Sequence, residues 1–109
     1  MITVLEYEDE AGESPFQKWF LGLNTHAARK IRTRIARLEA GNASNIEGIG
    51  EGAYECKIDF GPGYRIYFGK DGNELVILLG GGTKKKQQQD INQALEHWRN
   101  YKLRKVKEA

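Results

Sequence analysis

The stretch Ala53–Lys86, AYECKIDFGPGYRIYFGKDGNELVILLGGGTKKK, decides the fold. Along its first half, apolar side chains alternate with polar ones, which is typical of strands that have one face on a core. Turn residues divide it twice, as Gly-Pro-Gly at 61–63 and as Lys-Asp-Gly-Asn at 70–73. The sequence therefore predicts three consecutive antiparallel strands. They cover residues 54–59, 64–68 and 75–79.

The flanking residues predict what packs against these strands. Ile2–Tyr7 is short, apolar and β-prone, so we expect a first strand there. Ser14-Pro15 opens a short helix, and Asn24 opens a longer one that runs to about Ala40. Residues 41–52 hold four glycines and predict a loop, and a C-terminal helix begins between Lys85 and Asp90.

The expected fold class is therefore α+β. It has an N-terminal strand, two helices, a three-stranded antiparallel meander completing a four-stranded sheet, and a C-terminal helix. The 109 residues suit a single domain spanning 1–109. A hydrophobic content of 39% and a charged content of 29% indicate a globular chain.

The sequence does not predict a targeting signal. No apolar run is long enough to span a bilayer, and the N-terminus MITVLEYEDE lacks the pattern of a signal peptide. The single cysteine, Cys56, cannot form an internal disulfide, which fits a reducing compartment. We therefore expect a cytoplasmic protein without a membrane partner.

Charge is unevenly distributed along the chain. Residues 1–13 carry five acids and no base, whereas the remainder carries 17 bases against 10 acids. Such a basic body indicates an anionic partner, either nucleic acid or an acidic protein, although an ordinary solvated surface can have the same composition. The helix from Asn24 concentrates five cations without an acid among them. They are Arg29, Lys30, Arg32, Arg34 and Arg37.

Metal or cofactor chemistry is not indicated. His26 and His97 are far apart, Cys56 points toward the predicted core, and no metal-ligand spacing is present. Gly80–Lys84 lacks the spacing of a phosphate-binding loop and follows a hairpin rather than a βαβ unit. We expect neither a metal nor a cofactor.

Cationic and aromatic residues share one face of the predicted sheet. A tight turn places Lys57 and Arg65 within cross-strand reach, Tyr67 lies two residues further along, and Lys84, Lys85 and Lys86 follow the third strand. Such a face can hold a phosphodiester, stabilise charge on phosphorus and stack a base on tyrosine. The alternative for Lys57 and Arg65 is structural pairing with Glu55 or Asp59.

The order of elements and the motif YECKIDFGPGYRIYF at 54–68 resemble the RelE/ParE superfamily of type II toxins. Within it, the chain is most similar to the HigB-like addiction module killer proteins. The resemblance implies a RelE-like fold and a ribosome-associated mRNA endonuclease that inhibits translation, working by 2′-OH attack to give a 2′,3′-cyclic phosphate. It also implies neutralisation by a cognate helix-turn-helix antitoxin. Only the antitoxin then contacts operator DNA. The alternatives are a non-enzymatic ParE-like topoisomerase inhibitor and a nucleic-acid- or antitoxin-binding module without nuclease activity.

The resemblance also implies roles for individual residues. Arg65 matches the arginine that holds the scissile phosphate, Lys57 matches the basic residue of the preceding strand, and Lys84 or Lys85 stands near a further basic position. Gln87–Ile91 has neither the tyrosine nor the histidine that several relatives carry there. The identity of the general base therefore stays open. Lys57 or a lysine of 84–86 can serve, or Gln88 and Asp90 can orient the RNA. The predicted RNA-binding residues are Tyr67, Lys86, Gln88, Arg34 and Arg37.

Overall fold

The computed structural model describes residues 1–108 and confirms the α+β class. Five strands, three α-helices and one 3₁₀ turn follow one another along the chain. In order they are β1 (Thr3–Glu6), α1 (Pro15–Leu21), α2 (Thr25–Glu39), β2 (Ile46–Gly50), β3 (Ala53–Ile58), β4 (Tyr64–Lys70), β5 (Leu75–Thr83), the 3₁₀ turn Lys84–Lys86, and α3 (Gln87–Glu108).

The strands form one mixed sheet in the order β1-β5-β4-β3-β2. β1 pairs parallel to β5, and the other neighbours are antiparallel. The predicted meander β3-β4-β5 is therefore confirmed. The predicted four-stranded sheet is wrong, because Ile46–Gly50 adds a fifth strand at the edge where a loop was expected.

The extra strand escapes sequence patterns because glycine interrupts it. Its turn into β3 needs positive φ at two successive positions, and Glu51 and Gly52 adopt φ values of 59° and 86°. The same turn anchors α3, since the indole Nε1 of Trp98 donates a 2.7 Å hydrogen bond to the Glu51 carbonyl. This contact fixes α3 across the sheet.

Helices cover both faces of the sheet. Cys56, Ile66, Phe68 and Leu78 pack under α1 and α2, where Phe16, Ile31 and Leu38 bury their side chains. Tyr67, Ile77 and Leu79 pack under α3 against Ala94 and Trp98. Both helix starts follow their predicted caps: Ser14 Oγ accepts from the Gln17 amide and Asn24 Oδ1 from the Ala27 amide.

Three glycines let bulky groups approach the sheet. A Cβ at Gly69 would overlap the indole ring of Trp98, and one at Gly81 would overlap that of Trp19. A Cβ at Gly82 would overlap the carboxylate of Asp90. The glycine run after Leu79 is therefore part of β5, which continues to Thr83, and is not a flexible exit from it.

No helix within residues 1–108 combines the length and apolar character needed to cross a bilayer.

Candidate nucleic-acid interface

Lys57 and Arg65 lie directly opposite each other in the antiparallel register of β3 and β4, as the turn between them predicts. Cys56 and Ile58 point into the core beneath α1 and α2, so Lys57 and Arg65 lie on the face that carries α3. The turn holds them in register through Gly63, whose φ of 80° suits glycine. The two strands thus bring two cations to one end of the sheet.

Arg65 is buried and paired with a carboxylate. Its side chain is 8% exposed, and its Nε lies 2.8 Å from Oε1 of Glu55, whose side chain is 2% exposed. The Nε–H is not aligned for a hydrogen bond, so the contact is an ion pair. The same Glu55 oxygen accepts a 2.7 Å hydrogen bond from Nε2 of Gln87 at the start of α3. Arg65 therefore forms the structural pair that the sequence analysis gave as the alternative, and its partner is Glu55.

Lys57 is held more loosely. Its side chain is 45% exposed, and its Nζ lies 3.4 Å from Oε1 of Glu47 on β2, rather than beside Glu55 or Asp59. An exposed pair of this kind contributes about 0–1 kcal/mol, so an anionic ligand can displace Glu47 at little cost. Lys57 is therefore the accessible cation of the opposed pair.

Lys84 approaches Arg65 through a shared acceptor. The Gly63 carbonyl accepts from Nη1 of Arg65 at 3.2 Å and from the backbone N–H of Lys84 at 3.1 Å. Lys84, Lys85 and Lys86 form the 3₁₀ turn between β5 and α3, and all three are exposed. The predicted lysine cluster consequently begins beside Arg65.

Tyr67 does not offer a stacking surface. The residue is 1% exposed under α3, so its ring cannot reach a base in this conformation, and the prediction that it stacks RNA is corrected. Its hydroxyl is buried and has no hydrogen-bond partner among residues 1–108. Burial, together with the nearby carboxylates of Glu55 and Asp90, raises the pKa of Tyr67 well above its ordinary value. The hydroxyl therefore stays protonated at neutral pH.

Asp90 completes a polar layer under the first turn of α3. It packs against the backbone of Gly82, and burial raises the pKa of its carboxyl while the charge of Lys86 opposes that rise. Gln88, predicted to contact RNA, is exposed and donates through Nε2 to Asn92 Oδ1 at 3.0 Å. Gln88 is thus free to reach a ligand, whereas Asp90 faces the sheet.

Arg34 and Arg37 have different environments on α2. Arg34 is buried, and its guanidinium donates to the carbonyls of Asn42 and Ser44. Its predicted RNA contact is corrected to a structural role, because those bonds hold the loop after α2. Arg37 is exposed, and its RNA contact stays a prediction.

Sequence reasoning named Glu55 as an alternative partner but missed Glu47, which pairs with Lys57, and Gln87, which closes over Glu55. Glu55 and Lys57 are two residues apart on β3 and so share a face, which was the available signal. Their spacing could not show that Glu55 pairs with Arg65, because that depends on α3 sealing the pair from solvent. Within residues 1–108, no three His, Cys, Asp or Glu side chains are grouped closely enough to hold a metal ion.

The geometry defines a class of protein: a small α+β domain with a mixed five-stranded sheet between helices and a cationic end built from β3, β4 and the lysine turn. No family model matches the chain. It is 45% identical over 80 residues to an uncharacterised protein of Haemophilus influenzae, covering 72% of this chain and 81% of that protein. The chain belongs to the same family as this Haemophilus protein.

Proposed function

We propose that the chain is the toxin of a type II toxin–antitoxin system, with a RelE-like fold and ribosome-associated mRNA endonuclease activity. It acts in the cytoplasm, inhibits translation and is neutralised by a cognate helix-turn-helix antitoxin. The observation that carries the proposal is the direct cross-strand opposition of Lys57 and Arg65. Lys84, tied to the same Gly63 carbonyl as Arg65, supports it by placing a third cation at this end of the sheet.

The reaction proposed is transesterification within the RNA. The ribose 2′-oxygen loses its proton and attacks the adjacent phosphorus, and the bond from phosphorus to the 5′-oxygen breaks as that oxygen gains a proton. The products are a 2′,3′-cyclic phosphate and a 5′-hydroxyl. Both proton transfers need groups within hydrogen-bond reach, and charge on the phosphorane needs cationic partners.

Arg65 is assigned to the scissile phosphate and Lys57 to the developing charge or to proton transfer. Lys84 and Lys85 are the further candidates for proton transfer, because they are exposed beyond Arg65. Since Glu55 occupies the guanidinium of Arg65, substrate must replace Glu55 as its partner. A bidentate phosphate contact can compensate for the loss of that ion pair.

Expression in a bacterial host tests the proposal. Induction should stop protein synthesis and leave mRNA fragments with 2′,3′-cyclic phosphate ends, cut in the ribosomal A site. Arg65→Ala and Lys57→Ala should both restore growth while the chain still accumulates, and Lys18→Ala, on α1 at the opposite face of the sheet, should stay toxic. Lys57 is exposed, so its variant tests the site even where Arg65→Ala fails to fold. Intact mRNA in growth-arrested cells would overturn the proposal.

A second candidate, a non-enzymatic ParE-like topoisomerase inhibitor, is favoured by one observation: Arg65 is buried and neutralised by Glu55. In that case the sheet need not contact a phosphate. This candidate predicts DNA damage with intact mRNA and full toxicity of Lys57→Ala. The two candidates are therefore separated by the same expression experiment.

A further inference from the structure

A cationic cavity, beside the site at Lys57 and Arg65, lies between α2 and the end of β3. Its volume is about 350 Å³, within the range of ~300–1,000 Å³ that small-molecule sites occupy. The lining includes one carboxylate, Asp59, against five cations. These are Arg29, Lys30, Arg34, Arg37 and Lys57. The excess of positive charge suits an anionic ligand.

The α2 side of the cavity presents unpaired charge. Arg29 and Arg37 are exposed and lie two helical turns apart, with Thr33 between them on the same face. Neither arginine has a carboxylate partner within residues 1–108, whereas Lys18 and Arg99 elsewhere on the surface do. Two guanidinium groups are therefore available to a ligand.

The loop after α2, which forms the opposite wall, is held in place by hydrogen bonds. Arg34 donates to the carbonyls of Asn42 and Ser44, and Asn42 Oδ1 accepts a 2.9 Å hydrogen bond from the Ser44 amide. Lys30 lies over the ring of Phe60, with its Nζ 5.4 Å from the ring centroid. The cavity is thus preorganised and does not require a ligand to shape it.

The cavity adjoins the site at Arg65. A neighbouring cavity of about 270 Å³ is lined by Arg65 and Gly63. Both cavities share Asn45, Lys57 and Asp59 as lining residues. A chain of phosphates held at Arg65 can consequently pass Lys57 and reach Arg29 and Arg37.

We propose that the α2 cavity binds a phosphodiester of single-stranded RNA that flanks the phosphate held at Arg65. The inference rests on the proposed function for its RNA ligand. Nucleic acid is favoured over an acidic protein because two adjoining cationic cavities suit a ligand with regularly repeated negative charge. The small volume admits one strand and not a duplex.

The test is the salt dependence of RNA binding. The probe is a short single-stranded RNA with 2′-O-methyl riboses, which binds but cannot undergo 2′-OH attack. Each phosphate contact contributes about 0.7 to the slope of log K against log[salt] for single strands. Because the two arginines hold one phosphate, Arg29→Ala/Arg37→Ala should lower the slope by about 0.7 and weaken binding at low salt at least about tenfold. Lys18→Ala/Lys107→Ala removes the same charge outside both cavities and should leave the slope unchanged.

An unchanged slope in the arginine variant overturns the inference, as does an equal loss in the lysine control. Loss of antitoxin binding with unchanged RNA binding also overturns it, because the cavity would then serve a protein. Failure of the proposed function is distinguishable. A wild-type chain that cuts no RNA but binds the probe through Arg29 and Arg37 refutes the nuclease and leaves the binding site intact.

Discussion

Lys57 and Arg65 oppose each other across β3 and β4, yet one is open to solvent and the other is sealed beneath α3 with a carboxylate. In the strand register alone, the positions of Lys57 and Arg65 are equivalent. The docking of α3 makes them different, because Gln87 closes over Glu55 beside Arg65 while the Lys57 side chain stays 45% exposed. The two cations should therefore respond differently to mutation.

Removing Arg65 should destabilise the protein much more than removing Lys57. Arg65→Ala leaves Glu55 as an uncompensated buried charge, which costs about 3–5 kcal/mol. Lys57→Ala breaks an exposed pair and costs less than about 1 kcal/mol. Urea unfolding monitored by tryptophan fluorescence measures both. Equal costs would mean that Glu55 is hydrated and that the ion pair is not sealed.

Glu55→Gln should strengthen RNA binding. The neutral amide can still contact Gln87 but no longer competes for the guanidinium of Arg65, so we expect binding of the uncleavable RNA to tighten by about 3–10-fold. The variant should also lose about 3 kcal/mol of stability, since Arg65 then lacks its counter-ion. Unchanged binding would show that Arg65 does not contact the phosphate.

Asp90→Asn should change how stability depends on pH. Burial raises the folded-state pKa of Asp90 above 3.8, so the folded state holds this proton more tightly than the unfolded state. The stabilisation that protonated Asp90 provides is fully present below its unfolded-state pKa and is lost as the pH rises through its folded-state pKa. Urea titrations at several pH values should therefore show the stability of Asp90→Asn, relative to the wild-type chain, increasing as pH rises above 3.8. A constant difference would contradict the burial of this carboxyl.

Two glycine substitutions should distinguish the stability cost of a steric clash from the cost of replacing glycine itself. Gly69→Ala would place a methyl group on the Trp98 ring, and we expect it to cost at least about 2 kcal/mol. Gly22→Ala is the matched control, because Gly22 has a φ of −83° and its nearest contact would be an ordinary 3.5 Å. The control should change stability by less than about 0.5 kcal/mol. Thermal unfolding followed by circular dichroism compares them, and similar costs would contradict the close contact.

The sequence predicts the parts of this molecule that depend on local pattern. The strand alternation and the Gly-Pro-Gly turn were sufficient to predict that Lys57 and Arg65 lie within cross-strand reach. Ser14 and Asn24 were sufficient for the helix starts. In each case the decisive interactions lie within a few residues, so no knowledge of long-range packing was needed.

The parts that escaped prediction depend on docking between distant segments. Tyr67 is covered because α3 crosses the sheet, and no local pattern shows which face a C-terminal helix takes. On α2, Arg34 is buried on the same face as Ala27, Ile31 and Leu38. Arg34, predicted as a ligand contact, therefore holds the loop after α2 instead.

The pairing of β1 with β5 constrains how the chain can be made. Thr3 emerges from the ribosome long before Leu75, the residue with which it pairs. Non-local pairings of this kind fold slowly and late, since the intervening chain must be ordered first. During synthesis, the sheet can close only after β5 has emerged. A premature stop before β5 consequently yields a chain that cannot assemble its central sheet, so early frameshifts inactivate the protein outright instead of leaving a partly working fragment.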